Sequence, residues 1–250
     1  MTSSDKASFD QHFLVDQHIL MTMIDYAHLK TEDIVLEVGP GKGDITKHLA
    51  QKVKKVYAVE IDQSFKPYLD ALPRNVEVLY GTILEKIDSI PCTKLAANIP
   101  FSLSEPLLKK IIKTPLQRAV LLTGSRFFTV LSDSTSKLGK ITSLFFTVTK
   151  IMDVQKTAFF PKPRVLSALL VLERRTRPLT RQEQLLKEVV LQDDKKLKNG
   201  LLYGLMRRNN CTKNEARKFI AHLDLPDSIL EKNIHALSTR HFQFLCERLS

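Results

Sequence analysis

Cysteine and long apolar runs are scarce in this sequence of 250 residues. Its three cysteines, Cys92, Cys211 and Cys246, are odd in number and none stands in CxxC spacing. We therefore expect no disulfide framework, no zinc cluster or other metal site, and a reducing, cytosolic compartment. The apolar runs, such as 119–122, fall far short of the roughly 20 residues that a membrane span requires. The first residues also lack the apolar stretch of a secretory signal.

Acidic residues are outnumbered, since 27 Asp and Glu stand against 38 Lys and Arg and leave a net charge of +11. With 43% hydrophobic and 26% charged residues the composition is that of a globular protein, which excludes disordered and collagen-like chains. The basic excess favours a polyanionic partner, either nucleic acid or an anionic membrane surface. A merely basic protein without such a partner is the alternative.

Strand and helix patterns alternate through the first 125 residues or so. Short apolar segments predict strands at 34–38, 53–60, 76–80, 94–97 and 118–123. Helical patterns occupy 18–29, 44–51, 64–72 and 105–112. This alternation predicts an α/β fold with a mostly parallel sheet and right-handed crossovers. Two later β-rich segments, 141–149 and 165–172, are expected to pair antiparallel at the sheet edge.

The pattern changes after Pro178, where four helical segments follow with no strand between them. They cover 182–191, 196–206, 213–223 and 239–249. The sequence thus predicts two domains, an α/β domain of residues 1–177 and a small, basic, all-α domain of residues 178–250.

A glycine-rich loop follows the first long strand. Gly39, Gly41 and Gly43 form a GxGxG pattern after Glu37, at a strand end that opens a helix. A dinucleotide fingerprint would need a third glycine where Asp44 stands, so the spacing favours S-adenosylmethionine, which has no pyrophosphate. Glu60 ends the next strand, where a carboxylate can accept both ribose hydroxyls. A plain tight turn and a solvated strand end are the alternatives.

The tetrapeptide Asn98-Ile99-Pro100-Phe101 follows the fourth strand and has the form of the amino-methyltransferase motif. An exocyclic adenine amine is a poor nucleophile because its lone pair is delocalised into the ring. The Asn98 side-chain oxygen and the Ile99 carbonyl could accept its hydrogens and drive the nitrogen toward a tetrahedral state. Pro100 would stiffen the turn, and Phe101 would stack on an extruded base. The alternative is a strand-ending turn with a core phenylalanine.

These segments together resemble one family. The quoted stretches are QHFLVD at 11–16, EVGPGKG at 37–43, VEID at 59–62, NIPFSLS at 98–104 and FFPKPRVLSA at 159–168. In this order and spacing, over most of the chain, they resemble the ribosomal RNA adenine N6-dimethyltransferases. That family includes 16S dimethyladenosine transferases and Erm-type 23S methyltransferases of macrolide resistance.

The resemblance implies a Rossmann-like class I S-adenosylmethionine-dependent methyltransferase fold with a helical C-terminal domain. It implies cofactor contacts at His12, Leu14, Gly39, Gly41, Glu60, Ile61, Thr82 and Asn98. It further implies that Phe101 and Phe159 sandwich the target adenine, with Asn98, Ile99 and Pro100 completing the catalytic set. Packing beneath the basic linker is the alternative for Phe159.

Three positions depart from the family pattern. His12 replaces the usual Asn, Thr82 the usual Asp, and Phe101 the commoner Tyr. A Thr hydroxyl can still accept from the cofactor's adenine amine, but without charge assistance. We therefore expect weaker cofactor binding and a retained activity.

The two branches of this family differ in their target RNA. The Pro161-Lys162-Pro163 form and the compact C-terminal domain look slightly more like the Erm branch, so 23S rRNA and macrolide–lincosamide–streptogramin resistance are the first expectation. The alternative is 16S rRNA in small-subunit maturation. Less favoured are a non-catalytic nucleic-acid-binding relative and a small-molecule or protein methyltransferase.

The implied partner is ribosomal RNA or a pre-ribosomal particle, bound by a monomer without a membrane. Basic side chains would meet RNA phosphates and give salt-dependent affinity. The candidates are Lys109, Lys110, Lys113, Arg126, Lys162, Arg164, Arg207 and Arg208. A solvated basic face is the alternative for each of them.

Overall fold

The computed structural model describes residues 11–249, and these form an α/β fold. Its strands are β1 (Phe13–Leu14), β2 (Ile34–Val38), β3 (Lys55–Glu60), β4 (Val76–Tyr80), β5 (Lys94–Asn98), β6 (Arg118–Gly124), β7 (Phe146–Val154), β8 (Phe159–Phe160) and β9 (Ser167–Arg174). Its helices are α1 (Gln17–Tyr26), α2 (Asp44–Ala50), α3 (Lys66–Leu69), α4 (Ile83–Lys86), α5 (Ser104–Ile111), α6 (Ser125–Ser132), α7 (Lys137–Phe145), α8 (Arg181–Val190), α9 (Leu197–Asn209), α10 (Lys213–His222), α11 (Asp227–Leu230) and α12 (Thr239–Arg248).

Seven strands form one sheet in the order β4-β3-β2-β5-β6-β9-β7. The pairs β2–β3, β3–β4, β2–β5 and β5–β6 are parallel, and β9 runs antiparallel to β6. The chain leaves β2 toward β3 and β4, then returns to place β5 on the other side of β2. This reversal opens a crevice at the carboxyl ends of β2 and β5, where doubly wound sheets bind ligands. The predicted fold class is confirmed.

The central strands are buried on both faces, as parallel sheets require. Val35, Val56, Ala96 and Val120 are fully buried and share a core cluster with Met23 of α1. Burial of each such valine or methionine side chain is worth about 1.5–3 kcal/mol. The core therefore fixes the strand ends, and with them the loops that carry the site.

A separate two-stranded ribbon pairs β1 with β8, antiparallel, with Phe13 opposite Phe160 and Leu14 opposite Phe159. The amide N–H of Val15 extends the pairing by donating to the Ala158 carbonyl at 2.8 Å. The ribbon joins two of the quoted family segments, 11–16 and 159–168, which lie almost 150 residues apart.

The predicted strand at 141–149 is wrong over its first half. Residues Lys137–Phe145 form α7, and the strand β7 runs over Phe146–Val154 instead. Ser136 caps the helix by accepting from the Gly139 amide at 2.9 Å, and this cap outweighs the β propensity of the apolar residues that follow. The partner strand β9 begins at Ser167, two residues later than predicted.

The described chain divides into two compact units. One contains residues up to Thr129 together with Thr147–Arg174, and the other contains Val130–Phe146 together with the residues from Arg175 onward. The contact-based division thus falls three residues before the predicted boundary at 177 and groups α7 with the C-terminal helices. In the second unit, capping boxes begin α8 at Thr180 and α10 at Thr212.

Within residues 11–249, none of the helices combines the length and the apolar character that a membrane crossing would require.

Candidate functional site

A cavity of about 440 Å³ opens at the carboxyl ends of β2, β3, β4 and β5. Its volume lies within the range of about 300–1,000 Å³ typical of small-molecule sites. The predicted residues that line it are His12, Gly39, Gly41, Glu60, Ile61, Thr82, Asn98, Ile99, Pro100, Phe101 and Phe159. The structure therefore brings together residues that the sequence distributes over nearly 150 positions.

The glycine loop between β2 and α2 is built on left-handed backbone. Gly39 has φ +67° and Gly41 has φ +55°, conformations that L side chains rarely adopt. At Gly41 a Cβ atom would also lie 3.0 Å from the ring of Phe13. A Cβ at Gly39 would meet nothing within 4 Å, so the backbone conformation alone accounts for that glycine. The loop thus presents bare backbone to the cavity.

Glu60 is buried and held by two backbone amides. One carboxylate oxygen accepts from the Gly41 amide at 3.0 Å, and the other accepts from the Asp62 amide at 2.8 Å. The carboxylate is therefore locked against the glycine loop. Each oxygen keeps lone-pair capacity to accept from a vicinal pair of hydroxyls, which suits a ribose.

Glu37, at the end of β2, is not part of the cavity wall but is almost completely buried. Burial raises the pKa of its carboxyl to about 8, and the nearby Glu60 and Asp44 also favour the neutral form. The neighbouring Thr46 hydroxyl lowers this pKa without offsetting the burial, and it is too far from Glu37 Oε2 for a hydrogen bond of ordinary length. At neutral pH the buried Glu37 carboxyl, which precedes the glycine loop, is therefore mostly protonated and uncharged.

Asn98 is oriented by His12, the residue that precedes β1. Its Nδ2 group donates to the His12 carbonyl at 2.7 Å, while its Oδ1 atom accepts no hydrogen bond from the described residues. The Ile99 amide donates to the Leu122 carbonyl at 3.0 Å, and the Pro100 carbonyl accepts from the Leu103 amide at 2.9 Å. No described donor uses the Ile99 carbonyl. The tetrapeptide thus leaves two acceptors, Asn98 Oδ1 and Ile99 O, for a ligand that carries N–H groups.

His12 links the amino-terminal segment to the loop after β8. Its Nδ1–H donates to the Pro161 carbonyl at 2.8 Å, and its ring lies 6.1 Å from that of Phe101, centroid to centroid. The His12 side chain therefore connects the loop after β8 with the amino-terminal segment and lies close to the Phe101 ring. An asparagine at this position would be shorter and would not provide the ring.

The two aromatic residues of the predicted base site both line the cavity. Phe159 is 3% exposed and also belongs to the main core cluster, whereas Phe101 is half-buried. Core packing, the alternative reading of Phe159, is therefore correct for its surroundings, although the residue also contributes to the cavity wall.

Thr82 begins α4 as its N-cap. Its hydroxyl oxygen accepts from the Leu84 amide at 3.3 Å, so one lone pair is committed to the helix. Thr82 also lines the cavity, and its hydroxyl keeps one lone pair and one proton.

Other predicted residues lie away from the cavity. Leu14 is buried in the core cluster and does not line it. None of the eight basic candidates lines it: Lys109, Lys110, Lys113, Arg126, Lys162, Arg164, Arg207 and Arg208. Several have partners, since Lys109 pairs with Glu105 at 2.7 Å and Arg207 with Glu188 at 3.1 Å.

The sequence reasoning missed part of the wall. Gln11, Phe13 and Phe65 also line the cavity. Phe13 and Phe65 meet edge to face with ring centroids 5.8 Å apart. The quoted segment 11–16 contained a signal for Gln11 and Phe13, whereas Phe65, in a short turn after β3, has none.

Within residues 11–249, no group of three or more His, Cys, Asp or Glu side chains is placed to hold a metal ion.

Known proteins resemble this chain in sequence. A family model described as ribosomal RNA adenine dimethylase matches residues 2–237. A probable ribosomal RNA small subunit methyltransferase A of Methanococcoides burtonii is 34% identical over 208 residues, which are 78% of this chain and 77% of that protein. Its counterpart in Methanosarcina acetivorans is 32% identical over 244 residues, covering 92% and 88%.

Two solved structures are similar over nearly the full length of this chain. A dimethyladenosine transferase from Plasmodium falciparum has a TM-score of 0.62 at 26% identity and covers 95% of this chain and 96% of its own. The 23S rRNA methyltransferase ErmE has a TM-score of 0.60 at 22% identity, covering 95% and 99%. At that identity the likeness to ErmE supports the fold alone.

Proposed function

Because this chain belongs to the ribosomal RNA adenine dimethylase family, we propose that it methylates N6 of adenine in the RNA of the small ribosomal subunit. It is an S-adenosylmethionine-dependent methyltransferase that acts on adenine of ribosomal RNA. The finer statement, the choice of subunit, rests on archaeal relatives at 32–34% identity that are named for the small subunit.

The first expectation, a 23S target with macrolide resistance, has no comparable support. The similarity to ErmE is a similarity of fold at 22% identity. The sequence features that favoured the Erm branch, a Pro-Lys-Pro segment and a compact helical domain, are therefore outweighed. The 16S alternative becomes the main proposal.

The cavity supports a cofactor site with separate places for the parts of S-adenosylmethionine. In the proposal the Glu60 carboxylate accepts the ribose hydroxyls, and Thr82 and Ile61 border the adenine. Gly39, Gly41 and His12 surround the amino-acid end. When bound, the cofactor supplies an electrophilic methyl group. All of these residues line one cavity, whereas Leu14, the other expected contact, is buried in the core cluster and does not line it.

The observation that carries the proposed reaction is the pair of free acceptors at the end of β5. Asn98 Oδ1 and Ile99 O would accept the two hydrogens of the adenine amine. Those bonds favour a tetrahedral nitrogen whose lone pair can attack, and Asn98 is preorganised because its Nδ2 is already bound to the His12 carbonyl at 2.7 Å. Phe101 and Phe159 would hold the extruded base between them.

The test is expression in a host that lacks both the 16S and the 23S activity, followed by mapping of N6-dimethyladenosine in both RNAs. We expect the mark in 16S RNA, and Asn98→Ala should abolish it. Ser102→Ala, a change on the same cavity wall, is the matched control and should retain activity. A mark confined to 23S RNA would refute the choice of subunit, and full activity of Asn98→Ala would refute the mechanism.

The proposal includes a monomer acting in the cytosol on ribosomal RNA or a pre-ribosomal particle. Cys92, Cys211 and Cys246 form no disulfide, which suits a reducing compartment. Size-exclusion chromatography with light scattering would test the monomer, which predicts a mass near 28.5 kDa.

A further inference from the structure

Phe160 is a large aromatic side chain exposed directly beside the catalytic cavity. It is 72% exposed, while its neighbour Phe159 is 3% exposed and lines the cavity. The two residues form β8, where successive side chains point to opposite faces. The same two-residue strand therefore presents one ring to the cavity and the other to solvent.

The position of Phe160 is fixed from both sides. It pairs with Phe13 across the β1–β8 ribbon, and Phe13 also lines the cavity. The next carbonyl along the chain, that of Pro161, accepts from the His12 ring at 2.8 Å. An exposed ring on such a fixed backbone loses little conformational freedom when a ligand covers it.

The sequence around Phe160 is basic. The sequence from 154 to 172 contains Lys156, Lys162 and Arg164 and no acidic residue. Lys162 and Arg164 are exposed, and the Lys156 ammonium donates to the Arg164 carbonyl, which holds this part of the loop. Exposed aromatics combined with exposed cations are the ordinary means of binding unpaired nucleotides without sequence readout.

We propose that Phe160 is a stacking platform for an unpaired nucleobase next to the target adenine, with Lys162 and Arg164 against the adjoining phosphates. Once the target base is extruded into the cavity, its neighbour along the strand stays outside and needs a partner for its face. Phe160, which directly follows Phe159, supplies a ring on which that neighbouring base can stack. The inference rests on the proposed function, because it takes RNA as the substrate, and it makes Phe160 a positioning residue for that RNA.

The absence of tryptophan from the chain allows a direct test. Phe160→Trp introduces a single tryptophan whose fluorescence a stacked base would quench. We expect quenching by an unstructured RNA oligonucleotide and none by an abasic oligomer of the same length and charge. Tyr68→Trp, at a 50% exposed position on α3, is the matched control and should respond to neither. Equal quenching by the abasic oligomer would overturn the proposal in favour of simple charge attraction.

Steady-state methylation separates stacking from a structural role. For Phe160→Leu we expect the KM for the RNA to rise about tenfold, the usual scale for loss of one base–aromatic contact, with kcat unchanged. Phe160→Tyr should restore the wild-type KM. An unchanged KM for Phe160→Leu, or a loss confined to kcat, would overturn the proposal, as would oligomerisation that the leucine variant abolishes.

The wild-type enzyme reports on the proposed function independently of residue 160. If wild type marks 23S RNA instead of 16S RNA, the choice of subunit fails while the quenching result still decides the role of Phe160. If wild type marks 16S RNA and the leucine variant behaves like it, only the role of Phe160 fails.

Discussion

Replacing Glu37 with glutamine is expected to remove a carboxyl group whose ionisation opposes folding. Burial raises its pKa from the ordinary 4.5 to about 8, so the folded protein holds this proton far more tightly than the unfolded chain. The contribution of the neutral group to stability is complete below pH 4.5 and is lost as the pH rises toward 8. Above pH 8 the loss is complete and the difference levels off.

The size of the effect follows from that interval. At 1.36 kcal/mol per pH unit, the free energy of unfolding of wild type should fall relative to Glu37→Gln by roughly 4–5 kcal/mol between pH 4.5 and 8. The variant is nearly isosteric and stays neutral at every pH. It should therefore match wild type near pH 4.5 and exceed it progressively at higher pH.

The assay is urea unfolding of the ligand-free protein at intervals between pH 4.5 and 9, with the wild-type minus variant difference plotted against pH. Contributions from titrating groups that do not interact with Glu37 cancel in that difference. Thr46→Val, which removes a hydroxyl that lowers the pKa of Glu37 and leaves the carboxyl in place, is the control: it should keep the wild-type slope up to pH 8 and continue to lose stability above it. A difference that does not change with pH would refute the assignment of a neutral, buried Glu37.

Three further changes test other parts of the site. Gly41→Ala forces a side chain onto φ +55° and within 3.0 Å of the Phe13 ring, so the free energy of unfolding should fall by about 1–3 kcal/mol, measured by urea titration; an unchanged value would show that the loop relaxes freely. Thr82→Asp keeps an N-cap for the Leu84 amide and adds a second, charged acceptor, so calorimetry should show about tenfold tighter binding of S-adenosylmethionine, and equal affinity would contradict this account of the departure. Lys162→Gln should lower the slope of log affinity for RNA against log salt by about 0.7–0.9, as expected for one lost phosphate contact, whereas a parallel line would remove this lysine from the interface.

The sheet was predictable because its strands are short apolar runs between helical patterns, and such alternation has few folded solutions. The structure of segment 141–149 was not predictable in the same way. Its first five residues have β propensity, yet they continue a helix that Ser136 caps. The capping serine lies five residues upstream of the apolar run, outside the pattern that suggested a strand. Local propensity there is overridden by the helix start.

The candidate site was largely predictable at the level of residue types. The glycine loop, Glu60 and the Asn98 tetrapeptide are each recognisable from a local sequence pattern, and each contributes to the cavity wall. The hydrogen bonds that hold these residues in place have no local sequence signal, because they join segments that are distant along the chain. That Glu60 accepts from the Gly41 amide, and that Asn98 donates to the His12 carbonyl, follows from the tertiary fold alone.

The β1–β8 ribbon has a consequence for the order in which the enzyme is made. The glycine loop and Glu60 lie within the first 60 residues and can come together early on the ribosome. The side of the cavity where we propose that the base binds is completed only by residues 158–161, whose partners Phe13 and His12 were synthesised almost 150 residues before. Under the proposed mechanism a growing chain therefore completes the glycine loop and Glu60 before the base site, and an unfinished enzyme has no complete pocket with which to modify RNA.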